Sequence, residues 1–434
     1  MAKKTNPMFA PKEFNAAGSI YMYGSETPRT FIVDVTTTED IKGELLQQAV
    51  DRALERLPYY RWTIVRKKGL YYFADNDLPF VVAQSDEPRR VGGETTNYHN
   101  VDVIYHGATM SFSMNHGFCD GLGLNRFIEA TLYHYFCLKD GKEYPDEGIF
   151  TDSVPYDPSE VEDMFARELN VDKEELKKLK STETRYRLPE LEDKNNKGPR
   201  IYRMPLKIKT QDLLSWGKAN GASPAAAITA IMIKAVAREQ DVNTDVIMGV
   251  LPYSLRRGLN TKTFKNCSSA VFLPATPDEA RTMSAGELAA KLRQAMKPQM
   301  DEHTALLKLA GLQMLLKIGQ KAPTFFLKNK LLAVPENTPQ DTFTTDYVGS
   351  LTTGEYSDQI VHVDYLNADA FKGSMGVLVS ETAGYFHINV NQTFEDDHYY
   401  RAFCAILDEL EIPYEKLPFS SYLNPEIELP AEQK

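Results

Sequence analysis

One short segment of the chain carries residues whose types and spacing suit proton-transfer chemistry. It reads HGFCDG (116–121) and follows the strand-like stretch TMSFSMN (109–115). An imidazole loses its proton near neutral pH, and a position with little access to water suits it for work as a general base. The two glycines of this segment, Gly117 and Gly121, are expected to let the backbone turn sharply. The carboxylate of Asp120 can order the loop, either directly or through an arginine.

The alternation of side chains along the strand places His116 at the end of an apolar stripe. Met110, Phe112 and Met114 share one face of the strand, and His116 has the same parity. A stretch with helical periodicity follows at 121–138. Taken alone, a histidine at a strand end is more often a core residue than a catalytic one. Its place between a strand and a helix favours the catalytic interpretation.

Strand-like and helix-like stretches alternate along all 434 residues, a length that predicts two to three domains. Thr37 or Thr38 is expected to cap a helix over 41–57, and Ser223 is expected to cap the helix that begins at Pro224. The stretches 359–366, 374–381 and 384–392 are predicted to share an antiparallel sheet. The other predicted strands are 31–35, 61–65, 70–74, 101–105, 109–114, 200–208 and the start of 245–257, and the other predicted helices lie within 286–333 and 401–410.

Composition excludes several classes of function. The chain has 49 basic and 60 acidic residues and a net charge of −11, which argues against a nucleic-acid or anionic-membrane partner. Its four cysteines are far apart, so neither a disulfide framework nor a zinc knuckle is predicted. No apolar stretch is long enough to predict a membrane span, and the N-terminal MAKKTNPMF lacks the apolar core of a secretory signal. A cytoplasmic location is therefore expected.

Other candidate chemistry in the sequence is weaker. Cys119 lies beside His116 and could be a nucleophile, although a small buried filler is the better interpretation. His362 and Asp364 could ligate a metal from one strand face, but ordinary polar strand residues are favoured and no metal site is predicted. One basic cluster could meet the phosphates of a nucleotide-containing ligand or could equally be a solvated loop: Arg256, Arg257, Lys262 and Lys265.

The stretch SFSMNHGFCDGLGLNRFIEAT (111–131) resembles the H-x-x-x-D-G signature of the coenzyme-A-dependent acyltransferase superfamily. That superfamily includes chloramphenicol acetyltransferase, alcohol O-acetyltransferases and nonribosomal peptide condensation domains. LPYSLRRGL (251–259) with NCSSAVFLP (266–274) is similar to the family's Pro-Val-x-Leu-Arg loop and the crossover strand after it. TTDYVGSL (344–351) is similar to its late Asp-Phe-Gly or Ser-Asn-x-Gly region. Asn115 departs from the family's frequent pair of histidines, and Asp346-Tyr347 stands where many members carry Ser-Asn.

The resemblance implies an α/β (α+β) fold made of two chloramphenicol-acetyltransferase-like halves. Each half would be a mixed-sheet sandwich with helices packed on the sheets, and a tunnel would run between the halves past His116. The N-terminal half would be 1–180 and the C-terminal half 181–434, with 139–199 as a solvated crossover arm. Because large members of this kind supply both halves of their own site, a monomer is expected, or a dimer whose interface lies away from His116.

The resemblance also implies an acyltransferase that moves an acyl group, acetyl in the first instance, from a coenzyme A thioester to an alcohol or amine. Acyl-CoA would be a co-substrate, and no permanently bound cofactor is implied. The alternatives are a donor carried on the phosphopantetheine of a separate acyl carrier protein, and a non-catalytic member that binds a small-molecule ligand.

The same resemblance assigns roles to individual residues. His116 would be the general base, and Asp120 would order the loop by pairing with an arginine, for which Arg256 is the candidate. Gly121 would provide the turn of the motif. Asp346 and Gly349 would lie in the substrate or donor region.

Overall fold

The chain folds into strands and helices that largely follow the predicted alternation. Its computed structural model describes residues 12, 14, 17–23, 30–167, 169, 171–178, 184–191, 193, 200–243, 245–332, 341–366, 375–423 and 427–433. The segment 1–9, on which the absence of a secretory signal was predicted, lies outside the described residues, as do parts of the predicted crossover arm.

The strands in the described residues are β1 (Thr30–Thr37), β2 (Thr63–Lys67), β3 (Leu70–Ala74), β4 (Ala83–Gln84), β5 (Val101–His106), β6 (Thr109–Asn115), β7 (Arg200–Lys209), β8 (Ile247–Ser254), β9 (Ser268–Ala275), β10 (Phe343–Gly349), β11 (Ile360–Leu366), β12 (Met375–Thr382), β13 (Tyr385–Gln392), β14 (Glu415–Lys416), β15 (Ser420–Leu423) and β16 (Glu432–Gln433).

The α-helices are α1 (Gly43–Arg56), α2 (Gly121–Asp140), α3 (Lys173–Lys178), α4 (Thr210–Ala219), α5 (Pro224–Glu239), α6 (Pro277–Thr282), α7 (Ala285–Gln299), α8 (Glu302–Gln320), α9 (Phe325–Leu332) and α10 (His398–Glu409). In the part of the chain that the structure describes, no helix is long and apolar enough to cross a membrane.

Local sequence signals account for several element boundaries. The predicted turn between β2 and β3 places Lys68 at φ 52° and Gly69 at φ 66°, as a tight hairpin turn requires. Ser223 caps α5 as predicted, since its side chain accepts a hydrogen bond from the Ala226 N–H. The predicted cap of α1 is wrong. Thr37 remains in β1, and the helix begins after Lys42, which makes no side-chain capping hydrogen bond.

The first sheet, which carries the H-x-x-x-D-G segment, has the strand order β11-β1-β6-β5-β4. β6 lies between β1 and β5 and is antiparallel to both. The prediction that 359–366 shares a sheet with the two following strands is wrong, because β11 pairs antiparallel with β1 instead. Its side chains still touch the strands that follow it in sequence: Asn389 of β13 donates a 2.8 Å hydrogen bond to Asp364 of β11.

The second sheet has the strand order β14-β7-β13-β12-β10-β8-β9, and β15 also pairs with β7. It is mixed, because β10 runs parallel to β8 and β12 while β12, β13 and β7 are antiparallel neighbours. A small third sheet, β16-β2-β3, extends the β2–β3 hairpin. These mixed sheets with helices packed on them confirm the predicted fold class.

Two main hydrophobic cores lie under the sheets. One combines the apolar faces of α1 and α2 with those of β1, β5 and β6. The other surrounds α5, whose side chains are buried on nearly every face, with contributions from α7, α10 and the central strands of the second sheet. The division of the chain into halves at 180/181 stays a prediction. Strand β11 belongs to the first sheet, although it lies far beyond that boundary in sequence.

The charged composition of the crossover arm predicts that it is solvated, but parts of it are buried. Met164 and Phe165 are buried in the first core, and Glu160 is fully buried. Arg56 of α1 donates 2.8 and 3.0 Å hydrogen bonds to the two carboxylate oxygens of Glu160, and Tyr59 donates a third at 2.9 Å. This bidentate pair attaches the arm to α1.

We predict that Glu160→Ala destabilises the protein by about 3–5 kcal/mol, because it leaves the buried guanidinium of Arg56 without its charge partner. The free energy of unfolding in urea checks this, and Glu147→Ala, which removes an exposed carboxylate from the same arm, is the matched control. Equal effects of the two substitutions would contradict the assignment of Glu160 as the anchor.

Candidate active site

His116 leaves β6 on the side of the first core. Met110, Phe112 and Met114 of β6 are fully buried, as the alternation predicts, and the imidazole that follows them is half-buried. Its Nδ1 is buried. The Nδ1 edge of the ring is therefore shielded from solvent, although the residue as a whole is not fully buried.

Aromatic rings surround the imidazole. Tyr21 stacks on it with ring centroids 4.0 Å apart and an interplanar angle of 9°. Phe31 of β1 meets it edge-on at 5.6 Å. Burial lowers the pKa of His116 below its ordinary value of 6.5, and the negative charge of Asp120 opposes this only in part. The imidazole is therefore neutral at pH 7, the state that a proton acceptor requires.

Asp120 caps α2 and pairs with Arg256. Its carboxylate accepts hydrogen bonds from the Gly123 N–H at 2.8 Å and from the Cys267 N–H at 2.9 Å. Arg256 donates two more, from Nη1 at 2.9 Å and from Nη2 at 2.6 Å. Burial by itself would raise the pKa of Asp120, but the guanidinium and these N–H donors lower it below its usual value. The carboxylate is therefore charged at neutral pH, and it is not suited to donate a proton.

The guanidinium of Arg256 is itself held from several sides. Nε donates to the Thr263 carbonyl at 2.8 Å, Nη2 donates to the Lys265 carbonyl at 2.9 Å, and Nη1 lies 3.3 Å from Ser254 Oγ. Arg256 follows β8 and Asp120 caps α2. Their pair therefore joins the loop after β8, in the second sheet, to the motif loop after β6, in the first. The contact commits both charged groups to each other and to the backbone around them.

Asn266 adds a second link between the same two loops. Its Nδ2 donates a 2.9 Å hydrogen bond to the backbone carbonyl of His116. The neighbouring Cys267 N–H donates to Asp120, as described above, so two consecutive residues hold both ends of the motif. Asn266 lies in the stretch NCSSAVFLP that resembles the family's crossover strand, but the sequence did not single it out.

The structure locates the steric need for glycine differently from the prediction. Gly121 has ordinary backbone angles, and a Cβ there would lie 3.6 Å from Phe31, a normal contact. A Cβ at Gly117 would lie 2.5 Å from the sulfur of Met22, and one at Gly123 would lie 2.1 Å from the Phe264 carbonyl oxygen. Gly123 is therefore required by the backbone that packs against it, a side chain at Gly117 would displace Met22, and Gly121 is the first residue of α2.

Asp346 approaches the same site from β10. It is half-buried, and its pKa is raised from 3.8 to about 7, first by burial and then by the negative charge of Asp120. The charge of Asp346 in turn contributes to the raised pKa values of Tyr21 and Tyr365. The structure thus gathers Asp346, Asp120 and the ring that covers His116 into one neighbourhood. Gly349 lies further along β10, where its φ of 81° requires glycine.

Other residues that the sequence offered for chemistry have structural contacts. Cys119 is fully buried, its sulfur lies 3.0 Å from that of Met114, and burial raises its pKa well above the ordinary value, so the thiol is a filler. His362 lies 3.4 Å from Asp364, but among the described residues no group of histidines, cysteines and carboxylates is arranged to hold a metal.

The predicted basic cluster does not present four cations to a ligand. Arg256 is committed to Asp120, and Lys265 is buried against the ring of Phe73. Lys262 pairs with Asp157 at 3.1 Å, and Arg257 is exposed. Neither expectation describes the whole cluster, since Arg256 and Lys265 face inward while Arg257 is exposed.

Sequence reasoning missed Tyr21 and Phe31 as parts of the site. Tyr21 lies in a 3₁₀ turn, Ala17–Tyr21, far from the motif in sequence and without any periodic pattern that would mark it. Phe31 was predicted only as a strand residue. Neither contact has a sequence signal, because both depend on which strands become neighbours.

Comparison with solved structures finds this fold in other proteins, of which three are described here. The chain is similar to F. graminearum TRI101 in complex with coenzyme A and T-2 mycotoxin, at a TM-score of 0.61 and 11% identity over 94% of this chain and 99% of that one. It is similar to the TRI3 trichothecene 15-O-acetyltransferase from Fusarium sporotrichioides, at a TM-score of 0.61 and 10% identity over 92% and 94% of the two chains. It is also similar to the epimerization domain from the third module of tyrocidine synthetase B, at a TM-score of 0.59 and 11% identity over 94% and 99%.

No protein-family model and no curated protein sequence matches the chain. At these low identities the solved structures establish the fold alone. The chain therefore has the fold of the coenzyme-A-dependent acyltransferases and condensation-type domains, which confirms the resemblance drawn from its H-x-x-x-D-G segment.

We predict that Asp120→Asn and Arg256→Met each destabilise the protein by about 3–5 kcal/mol, since each leaves a buried charge without its partner. The double variant should lose less than the sum, because the second change removes a group that is already stranded. Unfolding in urea at pH 7 measures this coupling, and Arg257→Met is the matched exposed control. Strictly additive losses would show that the pair does not form.

We predict that Asp346→Asn stabilises the protein at pH 8 and has little effect at pH 4. An acid whose pKa rises on folding from 3.8 to about 7 destabilises the folded state progressively between those pH values and fully above them. The gain at pH 8 should be roughly 1–3 kcal/mol after allowance for solvent screening of a half-buried group. Urea unfolding at both pH values tests this, with Glu395→Gln as the exposed control; a gain that is the same at both would contradict it.

Proposed function

We propose that the protein transfers an acyl group from a coenzyme A thioester to the hydroxyl or amino group of a small acceptor. His116 would act as the general base. The observation that carries this proposal is a neutral imidazole that is stacked on one face, sealed at Nδ1 and still partly exposed, beside an aspartate whose charge is neutralised by Arg256.

The reaction follows from that arrangement. As the acceptor oxygen or nitrogen attacks the thioester carbonyl, His116 takes its proton, because an imidazole cannot ionise an alcohol outright beforehand. The tetrahedral intermediate then expels the thiolate as the C–S bond breaks, and the imidazolium returns the proton to the sulfur. General-base assistance of this kind typically contributes about 10²–10⁴ in rate.

The neighbours support the choice of donor and acceptor. TRI101 was solved with coenzyme A, and TRI3 is named as a 15-O-acetyltransferase, so the same fold serves transfer of an acetyl group to a hydroxyl. The acetyl group is therefore the first acyl group to test on this chain, and hydroxyl acceptors come before amines.

A donor held by a carrier protein is the second candidate. The fold is shared with a domain of a modular peptide synthetase, and Arg256 and Lys265 face inward, away from a role in binding the phosphates of free coenzyme A. The two donors share the pantetheine arm, so both are compatible with the same chemistry at His116.

The decisive experiment measures thiol release from acetyl-CoA, and from acetyl groups loaded on a phosphopantetheinyl carrier protein, with a panel of alcohols and amines. We predict acceptor-dependent release that falls by about 10²–10⁴ in His116→Ala. Since burial lowers the pKa of His116, the loss of kcat/KM on the acid side should occur at a lower pH than the titration of an exposed imidazole.

His106→Ala is the matched control, because His106 is the last residue of β5 and pairs with Asp86 on the surface. Undiminished turnover in His116→Ala would overturn the mechanism. Binding of acceptors without any thiol release from either donor would instead favour a non-catalytic member of the fold.

A further inference from the structure

We infer that Tyr21 is a positioning residue for His116: its ring sets the plane of the imidazole and keeps one face of it dry. The segment 17–23 is then a wall of the active site. The consequence for catalysis rests on the proposed function, whereas the effect on the imidazole itself does not.

The geometry of the stack limits how His116 can be approached. The two rings are nearly parallel, with 9° between their planes and 4.0 Å between their centroids, so Tyr21 covers one face of the imidazole. Phe31 contacts the ring from another side, and Nδ1 is buried. A substrate therefore reaches the histidine along the part of the ring that these groups leave exposed.

Tyr21 is held in place by the residues that follow it. Met22 packs directly against the motif loop, where a Cβ at position 117 would lie 2.5 Å from its sulfur. The Met22 carbonyl accepts a 3.3 Å hydrogen bond from the Tyr71 hydroxyl, and the Tyr23 hydroxyl donates a 3.0 Å bond to the Gly69 carbonyl. The segment is thus fixed between the H-x-x-x-D-G loop and the β2–β3 hairpin, and Tyr21 lies at the point where it crosses the imidazole.

This placement has two physical effects on a general base. A ring stacked on the imidazole excludes water from that face, and exclusion of water is the main cause of the lowered pKa of His116. It also restricts rotation of the imidazole, which keeps the proton-accepting nitrogen aimed at the reacting atoms. Both effects come from the ring, since burial and the charges of Asp120 and Asp346 raise the pKa of the Tyr21 phenol and keep it protonated.

The inference is tested by comparing Tyr21→Leu with the conservative Tyr21→Phe. The pKa of His116 is measured by NMR titration of the imidazole signals, with its resonance assigned from its loss in His116→Gln. In parallel, kcat and KM are measured for thiol release. Tyr156→Leu, which removes an exposed tyrosine from the crossover arm, is the matched control.

In Tyr21→Leu we expect the pKa of His116 to rise toward 6.5 and kcat to fall by about 10–100-fold, with a smaller change in the KM for the acyl donor. Tyr21→Phe keeps the stack and should restore both values to near those of the unmodified protein. Tyr156→Leu should leave both unchanged.

An unchanged His116 pKa in Tyr21→Leu would overturn the inference. So would equal losses in Tyr21→Phe and Tyr21→Leu, because the hydroxyl rather than the ring would then be responsible. If no donor is turned over by the unmodified protein, the proposed function fails, but the NMR titration still decides whether Tyr21 controls the imidazole.

Discussion

The ion pair between Asp120 and Arg256 is the interaction on which the rest of the site depends. Both side chains are nearly buried, with 8% and 11% of their surface exposed. Two buried charges are tolerated only where every remaining hydrogen-bonding group is satisfied. Here backbone N–H groups donate the remaining hydrogen bonds to the carboxylate, and backbone carbonyls accept the remaining hydrogen bonds of the guanidinium. The pair therefore fixes the position of the loop of one sheet against the loop of the other.

The imidazole gains its chemical character from this arrangement. Asp120 would hold a proton on a nearby histidine if its charge were not already neutralised by Arg256, and the pKa of His116 would then rise. With the aspartate committed, burial and the stacked ring of Tyr21 dominate, and the imidazole stays neutral. The separation of these two roles leaves an imidazole that is uncharged at physiological pH, as the proposed general base requires.

Strand β11 provides a second connection between the two sheets. β11 pairs with β1 through its backbone, while Asp364 accepts hydrogen bonds from Arg203 of β7 at 3.0 Å and from Asn389 of β13 at 2.8 Å. The first and second sheets are thereby joined by a strand as well as by the ion pair. Two connections at separate places restrict how far the sheets can move relative to each other.

Sequence patterns by themselves determined many of the local elements and pointed to the candidate residues of the site. Alternation along 109–115 placed His116 on the buried parity, the Ser223-Pro224 signal marked the start of α5, and the family resemblance pointed to Arg256 as the partner of Asp120. These succeed because they depend on neighbours in sequence or on a motif. The tertiary structure alone decided that β11 joins the first sheet, that Glu160 anchors the arm, and that Tyr21 and Asn266 reach His116. Such contacts join distant segments, 150 residues apart for Asn266 and His116 and further apart for β11 and β1, and depend on which surfaces meet after folding. No periodicity or composition records that choice.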